Sequence, residues 1–148
     1  MEIQNLKESQ LRDIIKFVES CDEIISERPS IFWLFWKFFR NTCFVVKKDD
    51  KIVGILLGLM DQTEKKVGFI HEIGVSKAYR RQGIASKMID SFEKNIKEMG
   101  GTELRLTTFH TNKNAIKFYE KIGFKNNGEI KKIDQERTEF IKKIPANH

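Results

Sequence analysis

"KVGFIHEIGVSKAYRRQGIASKMI", Lys66–Ile89, decides how the rest of the chain is read. Its first ten residues are mostly apolar, the pattern of a central strand covered on both faces. From Gly83 the period changes: Ala85, Met88, Ile89, Phe92, Ile96 and Met99 fall on one helical stripe, with Lys87, Lys94 and Lys97 off it. Between strand and helix stands "YRRQGIAS", Tyr79–Ser86. A helix start offers unbonded N–H groups and the positive end of the helix dipole, which together favour an anion. Gly83 lets the backbone approach a ligand closely and Ala85 keeps bulk away, while Arg80 and Arg81 add charge-assisted hydrogen bonds. Read alone, the loop is either a phosphate cradle or a helix start that carries charge without using it. It lacks the GxxxxGK[ST] spacing of a nucleotide-hydrolysing loop, and the chain has no GxGxxG for a dinucleotide.

Upstream, "TCFVVKKDDKIVGILLGLMD" reads as two strands joined by a tight turn at Lys48–Asp50. Asp61–Lys65 makes the turn into the central strand. "SQLRDIIKFVES" places Leu11, Ile14, Ile15 and Val18 on one face of a first helix capped by Ser9. A second helix covers "SIFWLFWKFFR", with Pro29 and Ser30 at its start. Downstream, Gly100–Gly101 stops the long helix and "TELRLTTF" is a strand. "TNKNAIKFYEKIGF" is then a helix capped by Thr111 or Asn112 and ended by Gly123. "ERTEFIKKI" alternates as a final strand. Strands and helices in this order make an α/β or α+β sheet protein.

The composition sets bounds on function. At 148 residues, one domain over 1–148 is the simplest reading. Lys and Arg number 27 and Asp and Glu 21, a surplus of +6 that suits an anionic cofactor as well as nucleic acid. No basic run is interleaved with aromatics, so nucleic acid is not expected as a partner. "IFWLFWKFF", Ile31–Phe39, is too short to span a bilayer and carries a lysine, so no membrane partner is expected either. The N-terminus does not resemble a signal peptide, which points to the cytoplasm. Cys21 and Cys43 are expected as free, buried thiols, and the spacing of Cys and His supports no metal site.

Two motifs in order carry a resemblance. The first is Val75 followed by "SKAYRRQGIA", with Arg80, Gly83 and Ala85 in the register of [QR]xxG-x-[GA] after a strand. The second is "NKNAIKFYEKIGF", Asn112 through Ala115 and Tyr119 to Phe124. In both, and over roughly residues 42 to 130, the chain resembles the GCN5-related N-acetyltransferase (GNAT) superfamily. The resemblance implies a GNAT fold: a mixed central sheet flanked by helices on both faces, splayed between its two central strands. It implies acetyl-CoA as cosubstrate, with the amides of Arg81, Gln82, Gly83, Ile84, Ala85 and Ser86 around the pyrophosphate. The edge of the Ile73–Gly74–Val75 strand would pair with the pantetheine arm, eased from its neighbour by Gly74. Asn112 would reach the pantetheine, cap its own helix, or do both.

Acetyl transfer to an amine needs a base for the ammonium, a donor for the developing oxyanion and an acid for the departing thiolate. Tyr119 matches the family tyrosine assigned as the acid; otherwise it is an aromatic on the core face of the last helix. A backbone N–H near Ile73 or Gly74 is the oxyanion donor. For the base, Glu72 ranks first, because a carboxylate on an apolar central strand is costly unless paired or functional. His71 and His110 follow, and some family members use no dedicated side chain. Strict alternation puts Glu72 on the face opposite His71, with Ile73 and Val75 on the histidine side, unless a bulge intervenes.

The expected function is therefore transfer of acetyl from acetyl-CoA to a primary amine of a small molecule or a peptide. The alternative is a CoA-binding regulatory domain without catalysis. The acceptor is expected between the N-terminal helices and the loop before the last strand, in segments holding "PSIFWLFWKFF", "KKIDQERTEF" and Asp22, Glu23 and Glu27. Relatives dimerise through a terminal strand or exposed aromatics, so a homodimer is one option the resemblance leaves open.

Overall fold

Asp49 and Asp50 both adopt left-handed backbone conformations (φ 53° and 60°). A two-residue turn of this hand matches the twist of the strands it joins, here β2 (Phe44–Lys48) and β3 (Lys51–Met60). Around this hairpin the chain builds β1 (Glu2–Asn5), α1 (Leu11–Glu19), α2 (Pro29–Phe39), β4 (Val67–Val75), α3 (Ile84–Glu98), β5 (Glu103–Phe109), α4 (Lys113–Lys121), β6 (Lys125–Asn126) and β7 (Arg137–Lys143). The computed structural model describes residues 1–21, 28–128, 130 and 133–146.

Among the described residues the strands form one sheet in the order β1-β2-β3-β4-β5-β7-β6. Every neighbouring pair is antiparallel except β4 and β5, which run parallel. The parallel pairing holds only from Val67–Glu103 to Ile70–Leu106. Beyond it β4 runs on to Val75 beside β3, while β5 continues to Phe109 beside β7. The sheet is thus splayed between its two central strands, as the family resemblance implies.

Helices cover both faces. Against one, α3 and α4 close a core of Leu56, Ile70, Met88, Phe92, Ile96, Leu106, Tyr119 and Phe140, among others. Against the other, Phe17 of α1 and Phe32 and Phe35 of α2 pack on Val45, Ile55 and Leu57. Burying each such side chain contributes about 1.5–3 kcal/mol. The α3 contact is unusually close, because the sheet offers it gaps instead of side chains. A Cβ on Gly58 would collide with the Phe92 ring and lie 2.9 Å from the Thr42 carbonyl. Gly68 leaves the same room for Ile96, and Gly54 for Ile84 and Met88. The long helix is thereby locked along its length, and its first turn is fixed beside the end of β4.

The N-terminus departs from the sequence reading. Ser9 does not cap α1; residues Glu8–Gln10 form a 3-10 turn in which the Gln10 side chain accepts from the Lys7 amide at 2.9 Å. Two elements were not expected: β1, which pairs with β2, and the short β6, which pairs with β7. At α4, Asn112 rather than Thr111 is the cap, its Oδ1 accepting from Ala115 N–H at 3.2 Å. Cys21 and Cys43 are both free and buried. Among the described residues no helix is long and apolar enough to cross a membrane.

Candidate active site

The central strand is broken in its middle. Leu57 pairs with Glu72 and the next residue, Gly58, pairs with Ile70, so His71 is an extra residue in β4. A one-residue bulge of this kind bends the strand and raises its local twist. It falls where the pairing of β4 with β5 ends, which supplies the mechanical reason for the splay. Gly74 is not the point of departure; it stays in register opposite Ile55.

The bulge also corrects the alternation expected from the sequence. Directly opposed residues of an antiparallel pair share a face. Glu72 opposes Leu57, which belongs to the α1–α2 core. His71 is on that face as well: its ring stacks on Phe35 of α2 with centroids 5.1 Å apart and planes at 19°. Ile73 and Val75 pack against the α3–α4 core instead. Carboxylate and imidazole therefore come from consecutive residues on one face, which an unbroken strand forbids. Glu72 is half-buried and His71 exposed.

At the end of β4 the chain turns through a short 3-10 segment, Lys77–Tyr79, into the basic loop. Arg81 (φ 64°) and Gly83 (φ 76°) are both left-handed. A non-glycine residue held there costs about 1–3 kcal/mol and is characteristic of ligand clamps. Turns mixing right- and left-handed residues point successive N–H groups into one concavity suited to an anion. Among the described residues, no backbone carbonyl accepts from the amides of residues 81–86, and the first α3 bond runs from Lys87 N–H to the Gly83 carbonyl at 3.1 Å. A Cβ on Gly83 would meet nothing within 4 Å, so the mouth of the concavity is open.

The side chains of the loop divide their tasks. Arg80 is half-buried and its Nε donates to the Val75 carbonyl at 3.3 Å, tying the loop to the end of β4. Arg81, Gln82 and Gly83 are exposed, Ala85 and Ser86 half-buried, and Ile84 is buried as the anchor of the helix. Lys48 and Tyr79, which the sequence reading did not single out, brace the loop: Lys48 Nζ donates to Gln82 Oε1 at 3.1 Å and lies 5.5 Å from the Tyr79 ring centroid. Only the hairpin register, a non-local property, could have placed Lys48 there.

Tyr119 is 9% exposed, edge-on to Phe124 at 5.7 Å, in the same core as Ile73 and Ala115. Asn112, at the exposed start of α4, uses its side chain as a cap. His110 stands apart from the Glu72 face, with its Nδ1 at 2.9 Å from the Glu136 carbonyl, an arrangement that stabilises a strand end. On α2, Phe32 and Phe35 are buried while Trp33 and Phe38 are 49% and 65% exposed and meet edge-on. Asp22, Glu23 and Glu27, along with Lys131 and Lys132 of "KKIDQERTEF", lie outside the described residues.

The arrangement can hold an anion at the loop and an extended, amide-bearing chain along the free edge of β4. On the α1–α2 face it presents a carboxylate and an imidazole. Comparison with known proteins gives the same fold. PH1933 from Pyrococcus horikoshii OT3 superposes with a TM-score of 0.79 at 26% identity, covering 98% of this chain and 99% of that one. The diaminobutyrate acetyltransferase EctA from Paenibacillus lautus, solved with L-2,4-diaminobutyric acid and coenzyme A, gives 0.80 at 16% identity, covering 99% and 96%. In sequence, N-alpha-acetyltransferase 30 of Dictyostelium discoideum is 33% identical over 124 residues, 79% of this chain and 63% of that protein. The chain spans between about a third and two thirds of the length of the curated relatives it matches. The profile of the acetyltransferase (GNAT) family matches residues 9–124, a span that takes in α1, the bulged strand, the basic loop and α4. On that match and on the splayed sheet it accompanies, the chain belongs to the acetyltransferase (GNAT) family.

Proposed function

We propose that residues 1–148 act as one acetyl-CoA-dependent N-acetyltransferase domain that modifies a primary amine. The observation that carries the reading is the bulge at His71, which frees the β4 edge beside the loop of unbonded amides and sets His71 next to Glu72 on the α1–α2 face. When bound, acetyl-CoA supplies a thioester whose carbonyl carbon takes the amine. The amides of Arg81, Gln82, Gly83, Ile84, Ala85 and Ser86, with the Arg81 side chain, hold the pyrophosphate; Arg80 holds the loop in shape. The free edge at Ile73, Gly74 and Val75 pairs with the pantetheine amides, and a backbone N–H there donates to the carbonyl oxygen as it gains charge. Glu72 accepts the proton of the ammonium, directly or through a water, and His71 is the second choice. Tyr119 protonates the sulfur, and Asn112 combines its cap with a contact to the pantetheine.

The acceptor class is weighed by likeness. In sequence, the relative named N-alpha-acetyltransferase 30 shares 33% identity over 124 residues, the L-2,4-diaminobutyric acid acetyltransferase of Marinococcus halophilus 25% over 95. We therefore place the N-terminal amine of a polypeptide ahead of a small diamine. The cytoplasm, which holds acetyl-CoA and keeps thiols such as Cys21 and Cys43 reduced, suits this reading.

The test is thiol release from acetyl-CoA over peptides with free N-termini, peptides with internal lysines, polyamines, amino acids and an aminoglycoside. Release stimulated by N-terminal amines is expected. Glu72→Gln and Tyr119→Phe should each lower turnover by about 10²–10⁴-fold while CoA binding, measured by calorimetry, stays within a factor of two or three of the parent. Tight CoA binding with no acceptor-stimulated release would favour the non-catalytic CoA-binding domain. Absence of CoA binding would sink the proposal outright.

A further inference from the structure

The β2–β3 hairpin brings a cation to the cofactor loop from outside it. Lys48, the last residue of β2, is half-buried, and both of its partners are neutral: the Gln82 amide oxygen at 3.1 Å and the Tyr79 ring at 5.5 Å. Its carboxylate neighbours in sequence, Asp49 and Asp50, occupy the left-handed turn and are exposed. Among the described residues its ammonium is not ion-paired. An ammonium carries three N–H donors; one serves Gln82, and the others point from a fixed position with their charge uncompensated. Gln82 follows Arg81 and precedes Gly83, so Lys48 stands at the rim of the same concavity.

We infer that Lys48 is a phosphate-binding residue for the nucleotide end of the coenzyme, a cationic arm that the hairpin adds to the amide loop. The inference rests on the acetyl-CoA reading above. Tyr79 and Gln82 act as positioning residues: the ring and the amide hold the lysine stem, so that little rotamer freedom remains to be lost on binding. Two phosphates are in question, the pyrophosphate and the 3′-phosphate, and their chemistry toward an ammonium is shared.

The test is calorimetric binding of CoA and of dephospho-CoA to the parent and to Lys48→Met, Lys48→Arg and Lys51→Met, each at two salt concentrations. Methionine keeps an unbranched stem over Tyr79 and removes the charge. Lys48→Met should bind CoA about tenfold more weakly and with a shallower salt dependence. Lys48→Arg should restore most of the affinity, and Lys51→Met, an exposed lysine on the same hairpin, should change nothing. Equal loss for both ligands assigns Lys48 to the pyrophosphate; loss for CoA alone assigns it to the 3′-phosphate. Parental affinity and salt slope in Lys48→Met, or failure of arginine to rescue, overturns the inference and leaves the acetyl-CoA reading standing. A parent protein that binds neither ligand overturns both.

Discussion

Deleting His71 removes one residue from β4 and nothing from its pairing. Leu57–Glu72 and Gly58–Ile70 become consecutive pairs, so the register on both sides survives. Glu72 keeps the face it has now, and Ile70 and Ile73 keep theirs. What changes is the bend. A straight β4 can continue alongside Thr107–Phe109 of β5, where it now departs. The variant loses the His71–Phe35 stack, worth about 0.5–1.5 kcal/mol. It gains one or two ladder hydrogen bonds at about 0.5–1.5 kcal/mol each. Folding stability should therefore shift by no more than about 2.5 kcal/mol, which for a chain of this size is a melting shift of about 5–10 °C at most.

Ligand binding should respond very differently. The edge at Ile73–Val75 would be taken up by β5, and two backbone hydrogen bonds to the pantetheine would be lost at about 1–3 kcal/mol together. That corresponds to a CoA affinity lower by about 5- to 150-fold. Thermal unfolding and CoA titration on the same sample check the two halves. A deletion variant that melts near the parent and binds CoA equally well would refute the link between bulge and slot. A variant that cannot fold would refute the claim that both registers survive.

Three further perturbations test the packing and the loop. Gly58→Ala drives a methyl into the Phe92 ring and the Thr42 carbonyl, and backbone cannot easily give way, so about 3 kcal/mol should be lost, seen as a melting drop of about 6–12 °C; an unchanged melting point would mean that α3 is free to move off the sheet. Arg81→Gly should raise stability by about 1 kcal/mol by relieving a left-handed non-glycine residue, yet weaken CoA binding about tenfold by removing charge; the two effects moving together would contradict the division. Burial pushes the Cys43 thiol from 9.0 up to about 12, against a smaller opposing effect of the Gly58 backbone. The folded state thus holds this proton more tightly than the unfolded chain, so its contribution is intact below about pH 9 and declines by about 1.4 kcal/mol per unit as pH rises toward the folded value. Cys43→Val should flatten the fall in stability between pH 8 and pH 10.5; parallel curves for the two proteins would exclude the thiol as its source.

What could be read from the sequence was what local rules decide. The turn expected at Lys48–Asp50, the change of period at Gly83 and the cap expected at Thr111 or Asn112 each follow from a few neighbouring residues, and the fold has them at Asp49–Asp50, Gly83 and Asn112. The failures have non-local causes. β1 is four residues with an ordinary polar pattern, made a strand by its bonds to β2. Ser9 lies inside a 3-10 turn closed by the Gln10 side chain on the Lys7 amide, and α1 starts without a side-chain cap. The bulge is invisible in "FIHEIGV", since apolar residues stand on either side of His71 and only the partner strand shows which residue is extra.

That single extra residue also explains why the two candidate groups stand side by side. The α3–α4 face of the sheet is built for immobility: Gly54, Gly58 and Gly68 let Ile84, Met88, Phe92 and Ile96 seat directly on the strands, which fixes the first turn of α3 and with it the loop of unbonded amides. A phosphate bound there is held relative to β4 to within the rigidity of that packing. The α1–α2 face receives Glu72 and His71 from the same strand, four and five residues before the loop begins to turn at Ser76. In the proposed reaction, an acyl group aligned along the free edge of β4 is positioned from one face, while Glu72 approaches from the other. With an unbroken strand, the edge would be closed and His71 and Glu72 would point to opposite faces. One inserted residue opens the slot and sets the His71 imidazole beside the Glu72 carboxylate on the α1–α2 face.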